Sequence, residues 1–273
     1  MNYCCPVCKK TLKLVHRTWV CENRHSFDLA KSGYVNLCRN FKASQGDNKE
    51  MVASRTVFLE KGYYQSLANE MVSLVKKLNP EVLFDCACGQ GWYTKQLKQA
   101  ITGEVHGFDM SREAILHASK KDKESHYAIA SIFDLPAFSK SVDCITLIFA
   151  PTAAEEFHRV LKENGILITV SPGENHLFEL KEAVYDHPYK NDHTPAVLSG
   201  FDLLEQRFVE TEIFVDCPQD IQALFMMTPY TYKTSEQDMA KLKALQTLKT
   251  RVHFSICVYQ KKVNFYKKSI DIY

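Results

Sequence analysis

Apolar positions recur at two different periods along this chain. Between Tyr64 and Leu78 they fall at helical spacing, with Leu67, Met71, Leu74, Val75 and Leu78 on one face. That stripe predicts a helix packed against a core. A helix over Glu50–Leu59 precedes it and ends in a Gly62-Tyr63-Tyr64 turn. From Glu81 onward, short apolar runs alternate with helical stretches. Strands are expected at Val82–Phe84, Val105–Phe108, His126–Ala130, Val142–Phe149 and Ile166–Val170, and helices from Trp92, over Arg112–Ser119 and over Ala153–Leu161. Such alternation builds a parallel sheet with crossover helices. Farther on, the pattern gives strands at Phe208–Val215 and Val252–Tyr259, with helices at Ile221–Met227 and Glu236–Leu248. Near the N-terminus, Thr11–Val15 and Trp19–Val20 read as two short strands, and Asn40–Lys49 as a polar linker.

Composition adds the class of protein. The chain has 273 residues, 45% apolar and 24% charged, which suits a globular protein of one large domain, or a medium and a small one. The longest apolar run, Ile145–Pro151, is far too short to span a bilayer, and the N-terminus lacks the pattern of a signal peptide. A cytoplasmic location with no membrane partner is expected. Net charge is only +2, but residues 1–50 hold nine Lys/Arg against four Asp/Glu, leaving the remainder at −3. A basic head on a faintly acidic body would grip any polyanion with the head; a solvated basic surface fits the charge equally well.

Five of the ten cysteines lie in the first 38 residues, and in a reducing compartment such clustering points to metal rather than disulfides. Cys5-Pro6-Val7-Cys8 is a C-x2-C pair; twelve residues separate Cys8 from Cys21 and three more separate Cys21 from His25. Cys5, Cys8, Cys21 and His25 thus form a structural zinc set, three thiolates and one imidazole with no open position. So small a module needs the metal to fold. The plain alternative is free cysteines beside a surface histidine. Cys4 is out of register, and Cys144 and Cys257 read as core.

The first strand of the alternating region runs into Asp85-Cys86-Ala87-Cys88-Gly89-Gln90-Gly91, and Asp109 lies 18 residues past Gly91 at the end of the second strand. In an open α/β sheet, ligands bind beyond the carboxyl ends of the strands. Gly89 and Gly91 let the backbone approach a ligand, and Asp109 is placed to accept both ribose hydroxyls of a nucleoside cofactor. The third glycine of a dinucleotide loop is missing, since Thr94 stands there. This favours S-adenosylmethionine over NAD.

These features resemble the bacterial 23S rRNA (guanine-N1)-methyltransferase family over nearly the whole chain. The resemblance rests on the Cys5/Cys8/Cys21/His25 set, Phe27–Lys31 with Gly33–Leu37, Gly46-Asp47 with Arg55, Phe58-Leu59 with Gly62 and Tyr64, and the Asp85–Gly91 loop. Ala150-Pro151, Pro172-Gly173 with His176-Leu177, and Met227-Thr228-Pro229-Tyr230 complete it. It implies an α/β fold, a class I (Rossmann-like) methyltransferase sheet with a small N-terminal zinc-ribbon domain. The expected division is a zinc-binding RNA-recognition module over 1–38, linker and helix over 39–62, and a methyltransferase domain over 63–273. It implies S-adenosylmethionine and zinc as cofactors and a 23S rRNA hairpin as partner, and leaves a homodimer open. Tyr64 and His176 join Asp85, Gly89, Gln90, Gly91 and Asp109 as expected cofactor contacts; without the resemblance, a packed tyrosine and a helix-start histidine are the favoured readings of those two. Backbone amides of Ser131 and Ile132 stand in at the adenine, where many relatives carry an acid. Ala87 replaces the usual glycine, and its methyl is tolerated if φ is negative.

Methyl transfer from a sulfonium needs mainly alignment, and guanine N1 must lose a proton, although no residue is assigned as the base. Phe149-Ala150-Pro151-Thr152 stands where enzymes acting on exocyclic amines often carry Asn/Asp-Pro-Pro-Tyr/Phe, consistent with a ring nitrogen target. Two rivals remain. A small-molecule methyltransferase needs no zinc head, and a nucleic-acid-binding protein with a degenerate fold would not bind the cofactor.

Overall fold

The computed structural model describes residues 3–39, 46–228, 230 and 234–263. Most of the polar linker and Pro229 lie outside these residues. The head contains β1 (Lys13–Val15), β2 (Thr18–Val20) and β3 (Ser26–Asp28), an antiparallel three-stranded sheet. After β4 (Val35–Asn36) come α1 (Lys49–Glu60) and α2 (Gln65–Leu78), then the alternating body: β5 (Val82–Cys86), α3 (Trp92–Ala100), β6 (Glu104–Asp109), α4 (Arg112–Lys121), β7 (His126–Ile129), β8 (Val142–Ile148), α5 (Ala154–Val160) and β9 (Leu161–Pro172). The chain closes with α6 (Phe178–Val184), β10 (Phe201–Val215), α7 (Pro218–Met226), α8 (Glu236–Ala244) and β11 (Leu248–Lys261).

Local chemistry sets several boundaries. The Asn48 side chain accepts the Met51 N–H at 2.9 Å to cap α1, and Ser111 caps α4 through Ala114 N–H at 3.1 Å. Asn79 ends α2 in the left-handed region. Helix α6 has only seven residues and β4 two, too few for a periodic signal. Helix α8 stops at Ala244, four residues before the expected end, because Leu248 already belongs to β11.

The main sheet has eight strands in the order β10-β11-β9-β8-β5-β6-β7-β4. It is mixed rather than wholly parallel: β11 runs antiparallel to both neighbours, pairing with β10 from Phe201↔Lys261 to Val215↔Leu248. Strand β10 begins seven residues earlier than the apolar pattern places it. As an edge strand it exposes Leu203, Leu204 and Glu205, so no inside–outside alternation marks its first half.

Two apolar layers cover the sheet. One gathers Leu67 and Met71 of α2, Leu97 of α3, Ile221 and Leu224 of α7 and Leu242 of α8 over Leu83, Ile168 and Phe254. The other holds Phe84, Phe108, Ile145 and Phe157, and here the connection between β7 and β8 contains no helix. The head fills that place: Tyr3, Cys5, Leu12 and Cys21 belong to the same buried cluster as Phe84 and Phe108. Strand β4 pairs in parallel with β7, Val35 against Ala128 and Asn36 against Ile129. Residues on both sides of the boundary expected at residue 38 thus share one buried cluster and one sheet. A sheet buried on both faces needs a second cover, and the metal module supplies part of it.

Candidate metal centre and cofactor cavity

Two tight turns present the four head ligands. Lys9 N–H closes on Cys5 O at 2.8 Å and Arg24 N–H on Cys21 O at 2.9 Å, with Lys9 and Arg24 in the left-handed region. The ligand atoms of Cys5, Cys8, Cys21 and His25 lie within 4.8 Å of one another. Cys8 Sγ is 3.6 Å from Cys21 Sγ, and His25 Nδ1 is 3.6 Å from Cys5 Sγ and 3.4 Å from Cys21 Sγ. A tetrahedron with Zn–S near 2.3 Å and Zn–N near 2.0 Å has edges of about 3.8 and 3.5 Å, so the set fits zinc. The Lys10 backbone N–H draws the Cys8 thiol down to about 6, toward the thiolate that ligates metal.

A cavity of about 610 Å³ opens beyond the carboxyl ends of β5, β6, β8 and β9. It brings together Tyr64, Asp85, Gly89, Gln90, Asp109 and His176, each expected from the sequence. Asp109 accepts Gly89 N–H at 2.9 Å and Ser111 N–H at 2.7 Å, one on each oxygen, and each oxygen keeps a lone pair for a further donor. Burial raises its pKa while these amides pull it back. Asp85 is wholly buried and ties the loop to its flanks, accepting Thr94 Oγ1 at 2.6 Å and Thr146 Oγ1 at 2.9 Å; burial raises it to about 6. His176 Nδ1 accepts the His253 N–H at 3.2 Å, which places its proton on Nε2, 3.4 Å from Tyr64 Oη. Burial lowers His176 to about 3, so it is neutral near pH 7.

Other expected residues fall elsewhere. Gly91 does not line this cavity: a Cβ there would lie 2.8 Å from Ala118 Cβ and from Tyr127 Oη, and its φ is +79°. Glycine is required there for packing against α4 and for the turn into α3. Ser131 and Ile132 are also outside the lining. The Ser131 hydroxyl accepts the Phe133 N–H at 3.2 Å, and the same loop is tied to the head by Cys4 N–H to Pro136 O at 3.0 Å and Lys9 to Asp134 at 2.6 Å. Ala87 has φ +56°, so the condition under which its methyl costs nothing is not met. Phe149, also on the cavity wall, has φ +55°. Backbone strain thus collects at this site.

The structure adds residues with no role assigned from the chain's pattern alone. Asp47 and Arg55 line the cavity and pair at 3.0 Å. Gly46 is needed beside them, because a Cβ there would lie 2.8 Å from Ser111 Cβ and its φ is +78°. The Gly46-Asp47 and Arg55 motif was the available signal. Tyr93, Tyr189 and Asn191 also line the cavity and carried none. Arg55 Nε, Gln90 Nε2 and Tyr93 Oη, all on lining residues, are buried without a hydrogen-bond partner. Unpaired polar atoms lining a cavity are what a polar cofactor would satisfy.

Comparison with known proteins agrees with both halves. The family described as "RlmA, N-terminal", a zinc ribbon, matches residues 3–44, and a "Methyltransferase domain" matches residues 84–169. A "23S rRNA (guanine(748)-N(1))-methyltransferase" of Streptomyces fradiae is 27% identical, covering 93% of this chain and 95% of its own. The "Putative 23S rRNA (guanine-N(1)-)-methyltransferase YxjB" of Bacillus subtilis (strain 168) is 30% identical, covering 94% and 96%. A "Putative Type II Methyltransferase" from Anaeromyxobacter dehalogenans shares the fold, with TM-score 0.51 at 19% identity over 72% of this chain and 97% of that one. With a zinc-ribbon head, a methyltransferase body and a relative 30% identical over 94% of its length, this chain belongs to the family of 23S rRNA (guanine-N1)-methyltransferases.

Proposed function

We propose that this protein transfers the methyl group of S-adenosylmethionine to N1 of a guanine in a hairpin of 23S rRNA. The observation that carries the reading is one chain holding both a tetrahedral Cys3His set and a cavity edged by unpaired polar atoms over Asp109. When bound, the cofactor supplies a methyl on an already activated leaving group, so the protein has mainly to align and enclose.

The residues divide that work. Asp109 has a free lone pair on each oxygen for ribose hydroxyls. Gly89 presents bare backbone to the cavity, and Gln90 offers its unpaired amide. Neutral His176 donates from Nε2, and Tyr64, Phe149 and Phe254 surround it with rings about 5.0 to 5.9 Å away. Low polarity there excludes water from the reacting centre. Cys5, Cys8, Cys21 and His25 would hold zinc as a structural ion that shapes the head, since four protein ligands leave no open position for chemistry.

The basic head is the part that meets RNA. Lys9 and Lys10 carry surface ion pairs with Asp134 and Glu22, while Lys13 is exposed on β1. Exposed pairs of that kind are worth little and exchange readily for phosphate. The target guanine must leave its stack to reach the cavity.

The test is methyl transfer from labelled S-adenosylmethionine to unmodified 23S rRNA, with product nucleosides identified by mass spectrometry. Labelled 1-methylguanosine is the expected product. Cofactor binding without incorporation would reject the RNA substrate, and no cofactor binding would reject the enzyme.

A further inference from the structure

Arg55 is the single Lys or Arg among the described residues lining the cavity, which otherwise carries the carboxylates Asp47, Asp85 and Asp109. Such a wall suits the two positive centres of S-adenosylmethionine, its sulfonium and its ammonium. It leaves one place for the cofactor's one negative group.

The guanidinium is held and only partly used. Its Nη2 pairs with Asp47 Oδ2 at 3.0 Å. Its Nη1 lies 3.7 Å from where a Cβ at Gly89 would stand, over the bare stretch of the cofactor loop, and its Nε is buried without a partner. Asp47 is itself fixed, since its carbonyl accepts Ser111 Oγ at 2.6 Å. A buried guanidinium donor with no acceptor is costly, and a planar fork with one edge occupied still offers donors to a second carboxylate.

We propose that Arg55, oriented by Asp47, binds the α-carboxylate of the methionine moiety of S-adenosylmethionine, and so selects cofactors that carry that group. The inference rests on the cavity being the cofactor site. Asp109 serves the ribose end, and Arg55 serves the amino-acid end from the α1 side, beside Tyr64 and Leu59 of the same lining.

The test is calorimetric binding of S-adenosylmethionine and of its decarboxylated form, which keeps the sulfonium and the amine, to the full-length protein and to Arg55→Gln. The wild-type protein should prefer the carboxylated form by roughly 10- to 100-fold, the range of one charge-assisted contact. Arg55→Gln should lose that preference by weakening the carboxylated form alone. Arg55→Lys, which keeps the charge but not the fork, should fall between and serves if the glutamine variant does not fold. Equal weakening of both ligands in either variant would make Arg55 a structural residue and overturn the inference, as would an unchanged preference. Failure of the wild-type protein to bind either ligand would instead overturn the cofactor reading, and the inference with it.

Discussion

Tyr3 Oη and His106 Nδ1 lie 3.0 Å apart, joining the first described residue of the metal head to the second strand of the methyltransferase sheet. The contact is buried, with Tyr3 3% and His106 2% exposed. The other ring nitrogen of His106 is 3.1 Å from Glu104. A neutral imidazole satisfies both, accepting from the tyrosine and donating to the carboxylate. Tyr3 also packs edge-on against His106 and Phe108, so one side chain links zinc module and catalytic body through both a polar and an apolar contact.

Removing that hydroxyl should be costly. Tyr3→Phe leaves a buried ring nitrogen without its donor, and the expected loss is about 1–3 kcal/mol, measured by urea unfolding at neutral pH. An unchanged midpoint would show that the polar contact contributes nothing.

The same histidine sets a pH dependence. Burial lowers His106 to about 4, against a Glu104 contact that pulls the other way. Because the folded state releases this proton before the unfolded state does, the His106 contribution is fully present above the unfolded value near 6.5. It is lost as pH falls from there toward 4. Stability from urea titrations at pH 7, 6, 5 and 4.5 should decline across this window, and less steeply in His106→Gln. Parallel profiles for the two proteins would assign the decline to other groups, His176 among them.

Zinc removal should destabilise the whole protein and not the head alone. Cys5 and Cys21 share a buried cluster with Phe84, Phe108 and Phe157, so a collapsed ribbon uncovers one face of the sheet. Stripping the metal with a high-affinity chelator should lower the single unfolding midpoint by at least about 10 °C, given roughly 2–4 °C per kcal/mol for a chain of this size. Two separate transitions, with the second unmoved, would show independent folding. For the same reason, deleting residues 1–45 would test folding before it tested substrate class.

Ala87→Gly should be neutral or stabilising. A non-glycine residue at φ +56° carries about 1–2 kcal/mol of strain, offset in part by the greater entropy that glycine loses on folding, about 0.5–1 kcal/mol. The net gain expected in thermal unfolding is up to about 1.5 kcal/mol, with cofactor affinity retained. A marked loss of stability would mean that the alanine methyl contributes packing that outweighs its strain.

Sequence alone determined what depends on neighbours along the chain. Cys5, Cys8, Cys21 and His25 are legible because zinc demands fixed ligand types on two tight turns. The strand–loop–helix carrying Gly89, with Asp109 one strand later, is legible because the connections are local. The period of α2 is legible because one of its faces is buried. Tertiary structure decided what depends on approach from far away. Only the fold shows β4 completing the sheet and the head standing where a crossover helix is absent, since nothing between Ala130 and Ser141 says what will cover that face. Gly91 resembles Gly89 in the sequence, and only the nearness of Ala118 and Tyr127 shows that packing also requires glycine there. The left-handed backbone of Ala87 and the unpaired donors of Arg55 and Gln90 arise where distant segments converge on one cavity. A local pattern specifies the parts; the juxtaposition that gives a buried donor no partner is set by the packing of the whole chain.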